Sequence, residues 1–124
     1  MEKVLKDYYK VIFETSADGI LQTNPDGKIL RANPAICKML ERTEEEICQI
    51  GITGILDAND PRFQAALEER GRNGKVRVEL DFLRKDGSKF LADFTSVLTQ
   101  DKEGKFWATT VSYTHLTLPT NREV

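Results

Sequence analysis

Histidine is nearly missing from this chain: there is one, His115, close to the C-terminus. A histidine acid–base pair or a histidine-rich metal centre therefore has nothing to be built from over most of the sequence, and no metal site is expected. Cysteine occurs twice, as Cys37 and Cys48. That is too few, and too widely spaced, for a disulfide framework or a zinc site, so both are expected to be reduced thiols of a cytoplasmic protein, packed as small hydrophobes. No apolar run approaches the length of a membrane span. The start, Met1-Glu2-Lys3-Val4, lacks the apolar stretch of a signal peptide, so no direct membrane contact is expected, whether or not a parent protein is membrane-bound. Positive charge is not in excess either: 18 Lys and Arg stand against 20 Asp and Glu, a net charge of -2. Without a basic stripe there is no partner surface for a phosphate backbone, and nucleic acid is not an expected partner.

What is present is a globular composition, 40% hydrophobic and 31% charged, in 124 residues. This is enough for one core, not for two domains. Turn chemistry organises it. Asn24-Pro25-Asp26-Gly27 reverses a short strand at Ile20 to Thr23 into another at Lys28 to Ala32, since Pro presets a negative φ and Gly accepts a positive one. Arg84-Lys85-Asp86-Gly87-Ser88 does the same between two longer strands. Asn33 before Pro34 starts a helix to Glu41, with Asn as cap and Pro where its missing N–H is harmless. Thr43-Glu44-Glu45-Glu46 is a capping box at a second helix. Gly51 and Gly54 then break the chain. Asp60-Pro61 opens a longer helix carrying Phe63, Ala66, Leu67 and Arg70, for which Gly71 is the expected terminator.

From Lys75 the hydrophobic period changes to two. Val76, Val78, Leu80 and Phe82 face one way, as do Phe90, Ala92 and Phe94 after the Asp86-Gly87 turn, and Glu103-Gly104 leads into a further strand from Lys105. Leu5, Tyr8 and Ile12 form one stripe of an amphipathic N-terminal helix within residues 1–15.

The ordered set Asp18-Gly19-Ile20, Asn24-Pro25-Asp26-Gly27, Asn33-Pro34 and Lys85-Asp86-Gly87 resembles the PAS sensor domain over residues 1 to about 110. The resemblance implies an α+β fold: a five-stranded antiparallel sheet with helices across one face and an N-terminal amphipathic helix. Asp18, Gly27, Asn33, Asp86 and Gly87 would then be structural marks of the motif, with Asp18 and Asn33 hydrogen-bonding local backbone. It also implies a pocket between sheet and helices, lined here by Ile36, Met39, Leu40, Ile47, Ile50, Ile55, Leu56, Phe63 and Leu67, for a small apolar or mixed-polarity ligand. As apolar residues at helical spacing, nearly all of the nine are also explained as core, which is what such residues usually are.

Haem-binding members of that family use a His on the long helix, and this chain has none there; only Cys37, Cys48 or Met39 could substitute. Flavin-binding members carry a reactive cysteine in an Asn-Cys-Arg-Phe-like motif, whereas Cys48 sits in Glu46-Ile47-Cys48-Gln49-Ile50. No cofactor is therefore expected. The carboxylates of Glu44 to Glu46 suit a helix N-terminus better than acid–base work, and no catalytic residue is identified. The function implied is a cytoplasmic sensory and interaction domain, residues 16–110, of a larger signalling protein such as a sensor kinase, a diguanylate cyclase or a regulator. It would work as a homodimer through Leu5, Tyr8 and Ile12, with its native effector missing from this chain. A ligand-free dimerisation module is the alternative, and a small α+β enzyme the more distant one.

Residues Val111 to Thr120 also read, codon by codon, as the translation of a transposon-based sequencing adapter. Residues 111–124 are accordingly expected to be a non-biological tail, with Thr109 the last residue wholly free of it. The alternative is a native strand continuing from Lys105, since the polarity alternates there.

Overall fold

The computed structural model describes residues 2–114, apart from the side chains of residues 2, 3, 5 and 114. Helix α1 (Glu2–Thr15) precedes the hairpin β1 (Gly19–Thr23) and β2 (Ile29–Ala32). Four helices follow: α2 (Pro34–Leu40), α3 (Glu44–Ile50), α4 (Ile52–Ile55) and α5 (Pro61–Asn73). The strands β3 (Lys75–Leu83), β4 (Lys89–Gln100) and β5 (Phe106–Thr114) complete one antiparallel sheet in the order β2-β1-β5-β4-β3. The expected architecture, two strands before the helices and three after, is the one observed.

Each hairpin is closed by a side chain that imitates the backbone. Asn24 Oδ1 accepts from the N–H groups of Asp26 and Lys28, Asp86 Oδ1 from Ser88, and Asp101 Oδ1 from Glu103 and Lys105. An Asx side chain bonding its own turn leaves Gly to supply the left-handed residue, and Gly27 and Gly87 do so at φ 86 and 90. The helix starts are as expected too. Asn33 Oδ1 accepts from Ile36 N–H, and Thr43 and Glu46 exchange the two bonds of a capping box at 3.1 and 2.9 Å.

Two glycines behave otherwise than expected. Gly71 lies inside α5, which runs one further turn and stops at Gly74, where the backbone turns left-handed at φ 81. Gly in a helix interior is only mildly unfavourable, whereas Gly74 must both end the helix and turn into β3; its N–H and C=O bond Arg70 O and Leu98 N–H. Gly54 likewise lies within the short α4 rather than breaking it.

The helices α2 to α5 cover the inner face of the sheet. Ile36, Leu40, Ile47, Ile55, Leu56, Leu80, Phe82 and Ala92 are fully enclosed there, with Phe82 stacked on Phe90 at 5.6 Å. The outer face carries Val97, Trp107 and Tyr113, all partly exposed. β5 continues through Val111, Ser112 and Tyr113: Ser112 is buried opposite Gly19 and Phe94, and Tyr113 points outward opposite Asp93. The alternation noticed at 111–113 is thus a strand in the fold. His115 and the rest of residues 115–124 lie outside the described residues.

Candidate sensory site

Six of the nine candidate pocket residues, Ile36, Leu40, Ile47, Ile55, Leu56 and Phe63, belong to the enclosed core, and Met39, Ile50 and Leu67 pack against it partly exposed. Their burial against the inner sheet face is what α2, α3 and α5 gain by lying there. Three clefts open elsewhere, none lined by any of the nine. One, of about 520 Å³, lies between α1 and the outer face, bounded by Tyr9, Ile12, Phe13, Ile20 and Thr109 among others. Another, of about 480 Å³, lies between the end of α5 and β3, and a third, of about 310 Å³, beside Trp107.

The inner face is not uniformly apolar. Strand register places Leu21, Thr110, Ser96 and Val76 in one row across β1, β5, β4 and β3. Ser96 is completely buried and Thr110 nearly so, and Thr110 Oγ1 donates to Ser96 Oγ at 3.1 Å. Arg70 reaches down from α5 to the same oxygen, its Nη1 donating at 2.9 Å. Ser112 adds a further buried hydroxyl on this face. Sequence reading missed these residues because Ser96, Thr110 and Ser112 are polar letters at inward positions of alternating strands. Only their register, two residues from Phe94 and Ala108, could have pointed inward.

A second polar centre joins α1 to the sheet. Asn33 is fully buried; its Oδ1 accepts from the N–H groups of Ile20 and Ile36, and its Nδ2 donates to the carbonyls of Phe13 and Asp18, all within 3.1 Å. Asn33 therefore fastens α1, β1 and α2 together, the local backbone role expected of it. Asp18 contributes through its backbone carbonyl; its carboxylate makes no hydrogen bond among the described residues, so the side-chain role expected for it is not the one observed. Beside it, Arg31 stacks over Phe13 at 4.6 Å and pairs with Glu14 and Glu44 at 3.3 and 2.8 Å.

Glu44 was legible only as part of an acidic run, yet its Oε2 also accepts from Ala32 N–H at 2.9 Å. Burial alone would raise this carboxyl, but the Ala32 N–H and the Arg31 guanidinium outweigh it and hold the group below its ordinary value. A carboxyl lowered by folding adds stability above its unfolded value, and that contribution disappears as pH falls through the lowered folded value. Glu44→Gln should accordingly flatten the loss of stability on acidification below pH 4.5, the ordinary value, in thermal melts against pH. An unchanged acid limb would remove Glu44 from the linkage.

Cys37 and Cys48 are free and half-buried, and burial, reinforced by Glu44, pushes both thiols up. Neither is a ready thiolate. Asp86 holds the β3–β4 turn, which is docked on the helices by Lys85, whose N–H donates to Leu40 O and whose Nζ pairs with Glu46 at 2.8 Å. Tyr8 and Ile12 of α1 are 65% and 42% exposed, facing no partner strongly enough to bury them; the side chain of Leu5 lies outside the described residues. Among the described residues no cluster of three His, Cys, Asp or Glu side chains could hold a metal ion, and no helix is long and apolar enough to cross a membrane.

A family profile described as the PAS domain matches residues 17–114, from the residue before Asp18 to the end of β5. The chain belongs to the PAS domain family. As a PAS domain it falls among sensory signalling modules of two-component systems, and its similar proteins agree. Sensor histidine kinase TmoS of Ectopseudomonas mendocina is 30% identical over 90 residues, 68% of this chain and 9% of that protein. Sporulation kinase E of Bacillus subtilis is 27% identical over 88 residues, 70% of this chain and 12% of that protein. The PAS chain thus spans about a tenth of the length of these curated relatives. A domain of a sensory box sensor histidine kinase/response regulator from Geobacter sulfurreducens shares the fold with a TM-score of 0.74 at 21% identity, covering 90% of this chain and 96% of that one. A light-oxygen-voltage domain studied with a flavin analogue does so at 0.73 and 18% identity, covering 94% of each chain.

Proposed function

We propose that this PAS domain, residues 16–110 with α1 attached, is a cytoplasmic sensor that takes a small mixed-polarity ligand between the inner sheet face and α2 to α5. It has no catalysis of its own and relays the ligand's presence through β5 to an effector outside this chain, in a kinase, a cyclase or a regulator. The observation that carries this reading is the hydroxyl pair of Ser96 and Thr110, set with Arg70 inside a largely apolar core. The two hydroxyls are satisfied by one another and by Arg70, whose Nε still lacks an acceptor, and a bound molecule supplying one biases the packing of α5 on β4. Residues 111–124 are read as adapter-derived, so the native sequence after Thr109 is to be recovered from the gene.

A flavin does not fit these residues. The layer where it would lie is filled by Ile36, Leu40, Ile47 and Ile55 of the helices and by Phe82 of β3, and the Cys48 thiol is pushed up by burial and lacks an Arg neighbour in its motif. Haem lacks a histidine on α5. The purified protein is expected to be colourless, with native mass spectrometry showing a small-molecule adduct that dissociates on activation. A Soret band or a flavin peak at near-stoichiometric level would defeat the cofactor-free reading. A bare chain mass, unchanged on titration with small metabolites, would leave the ligand-free dimerisation module instead.

The partner proposed for α1 is a second copy of this chain. Val4, Tyr8, Tyr9, Val11 and Ile12 are exposed on α1, and Val97, Trp107 and Tyr113 are similarly exposed on the outer face of the sheet. Burying such side chains contributes about 1.5 to 3 kcal/mol each, and a two-fold axis lets helix and sheet cover one another. Deleting residues 1–14 should convert a dimer to a monomer in sedimentation while circular dichroism keeps the sheet signal. A full chain that sediments as a monomer at high concentration returns α1 to its own sheet.

A further inference from the structure

Arg70 reaches the buried hydroxyls of the inner face, whereas Arg42, whose Nε is likewise sealed and unbonded, reaches none. Arg70 comes from the last turn of α5, where a cation suits the helix dipole, but instead of extending into water it turns under the helix to Ser96. Its Nε is sealed from solvent and bonds nothing, and no carboxylate pairs with the guanidinium among the described residues. Arg31, Arg62 and Arg77, by contrast, each meet a carboxylate. A half-buried guanidinium without an anion is costly, and its planar fork matches a carboxylate. The cleft of about 480 Å³ opens alongside, with Glu69 and Asn73 of α5 and Val76, the cross-strand neighbour of Ser96, on its walls.

We propose that Arg70 and Ser96 form the head-group subsite of the sensory pocket, and that the ligand is a small organic carboxylate with an apolar body. This rests on the sensory reading above and names the class of its ligand. The carboxylate accepts from Arg70 Nε–H, Ser96 and Thr110 order the guanidinium from the sheet, and the apolar body lies in the adjoining cleft against Val76 and Val97. Ser112, with its Oγ also unpartnered, stands further along β5. It belongs to the stretch that reads as an adapter, so the assignment stands on Arg70 and Ser96.

The test follows thermal stability of the full chain with sodium acetate through octanoate and benzoate, against sodium chloride and the 1-alkanols of equal length. At least one carboxylate should raise the melting temperature in a saturable way where its alcohol does not. Arg70→Met should weaken that response about tenfold or more, as expected when a charged hydrogen bond is lost, yet melt at or above the wild-type temperature without ligand. Arg70→Lys, which keeps charge without the fork, should fall between. Equal stabilisation by alcohols and carboxylates, or an undiminished response in Arg70→Met, overturns the carboxylate assignment and leaves the pocket standing. No response to any carboxylate also overturns it, and the pocket is then judged by the native mass adduct alone.

Discussion

Asn33→Ala is expected to destabilise the domain by about 3 to 5 kcal/mol, because one small truncation strands polar groups in three elements at once. The Ile20 N–H and the carbonyls of Phe13 and Asp18, all partly buried, lose a partner that is itself fully buried, and α2 loses its cap. The carbonyl groups matter as much as the cap. At an ordinary helix start Asp is as good as Asn. Here Asn33→Asp would keep the two acceptor bonds but turn a carboxylate oxygen toward two carbonyls, and it should be nearly as damaging as alanine. Urea unfolding followed by circular dichroism measures both. A loss under about 1 kcal/mol for alanine, or an aspartate variant close to wild type, would reduce Asn33 to a helix cap and remove it as the fastening of α1.

The features that sequence made legible are those decided within a few residues. Asx-Gly turns and capping boxes close on their own neighbours, so Asn24, Thr43 and Asp86 could be read as they fold. The period of two over Val76 to Phe82 gave the inner face because nothing else satisfies it. What escaped was decided across the fold. Whether α5 stops at Gly71 or Gly74 depends on where β3 must start, and Gly71 is no barrier when Arg72 and Asn73 can continue the helix. Glu44 looks identical to Glu45 in the sequence; only the packing of α3 beside β2 brings it to Ala32 N–H. Ser96 and Thr110 read as ordinary strand residues until α5 is laid over them with Arg70 pointing down. The dividing line matters for function, since the candidate head-group subsite falls on the illegible side. A sensor can vary such positions without disturbing its turns, while the same turns keep the sheet and helices in place around them.

Gly19→Val should be the most damaging glycine substitution in the chain, although the residue has no left-handed backbone to protect. Its role is space. A Cβ built there would stand 2.7 Å from Ile36 Cδ1, 2.9 Å from its Cβ and 3.1 Å from its Cα. Rotating Ile36 can move only the first of these atoms, so β1 and α2 would have to separate, in a core that tolerates little added volume. Overpacking of this kind costs about 1 to 3 kcal/mol for one added group, and valine adds three. Gly27→Val offers the contrast: nothing lies within 4 Å of its Cβ, and strain at φ 86 is the whole penalty. Adding Ile36→Val to Gly19→Ala removes the Cδ1 contact and leaves the other two, so little rescue is expected in a double-mutant cycle. Strong rescue would show that the side-chain tip alone sets the separation of β1 and α2. A Gly19→Val protein as stable as wild type would mean that α2 is free to lift from the sheet, and the close approach at Gly19 would then fix nothing.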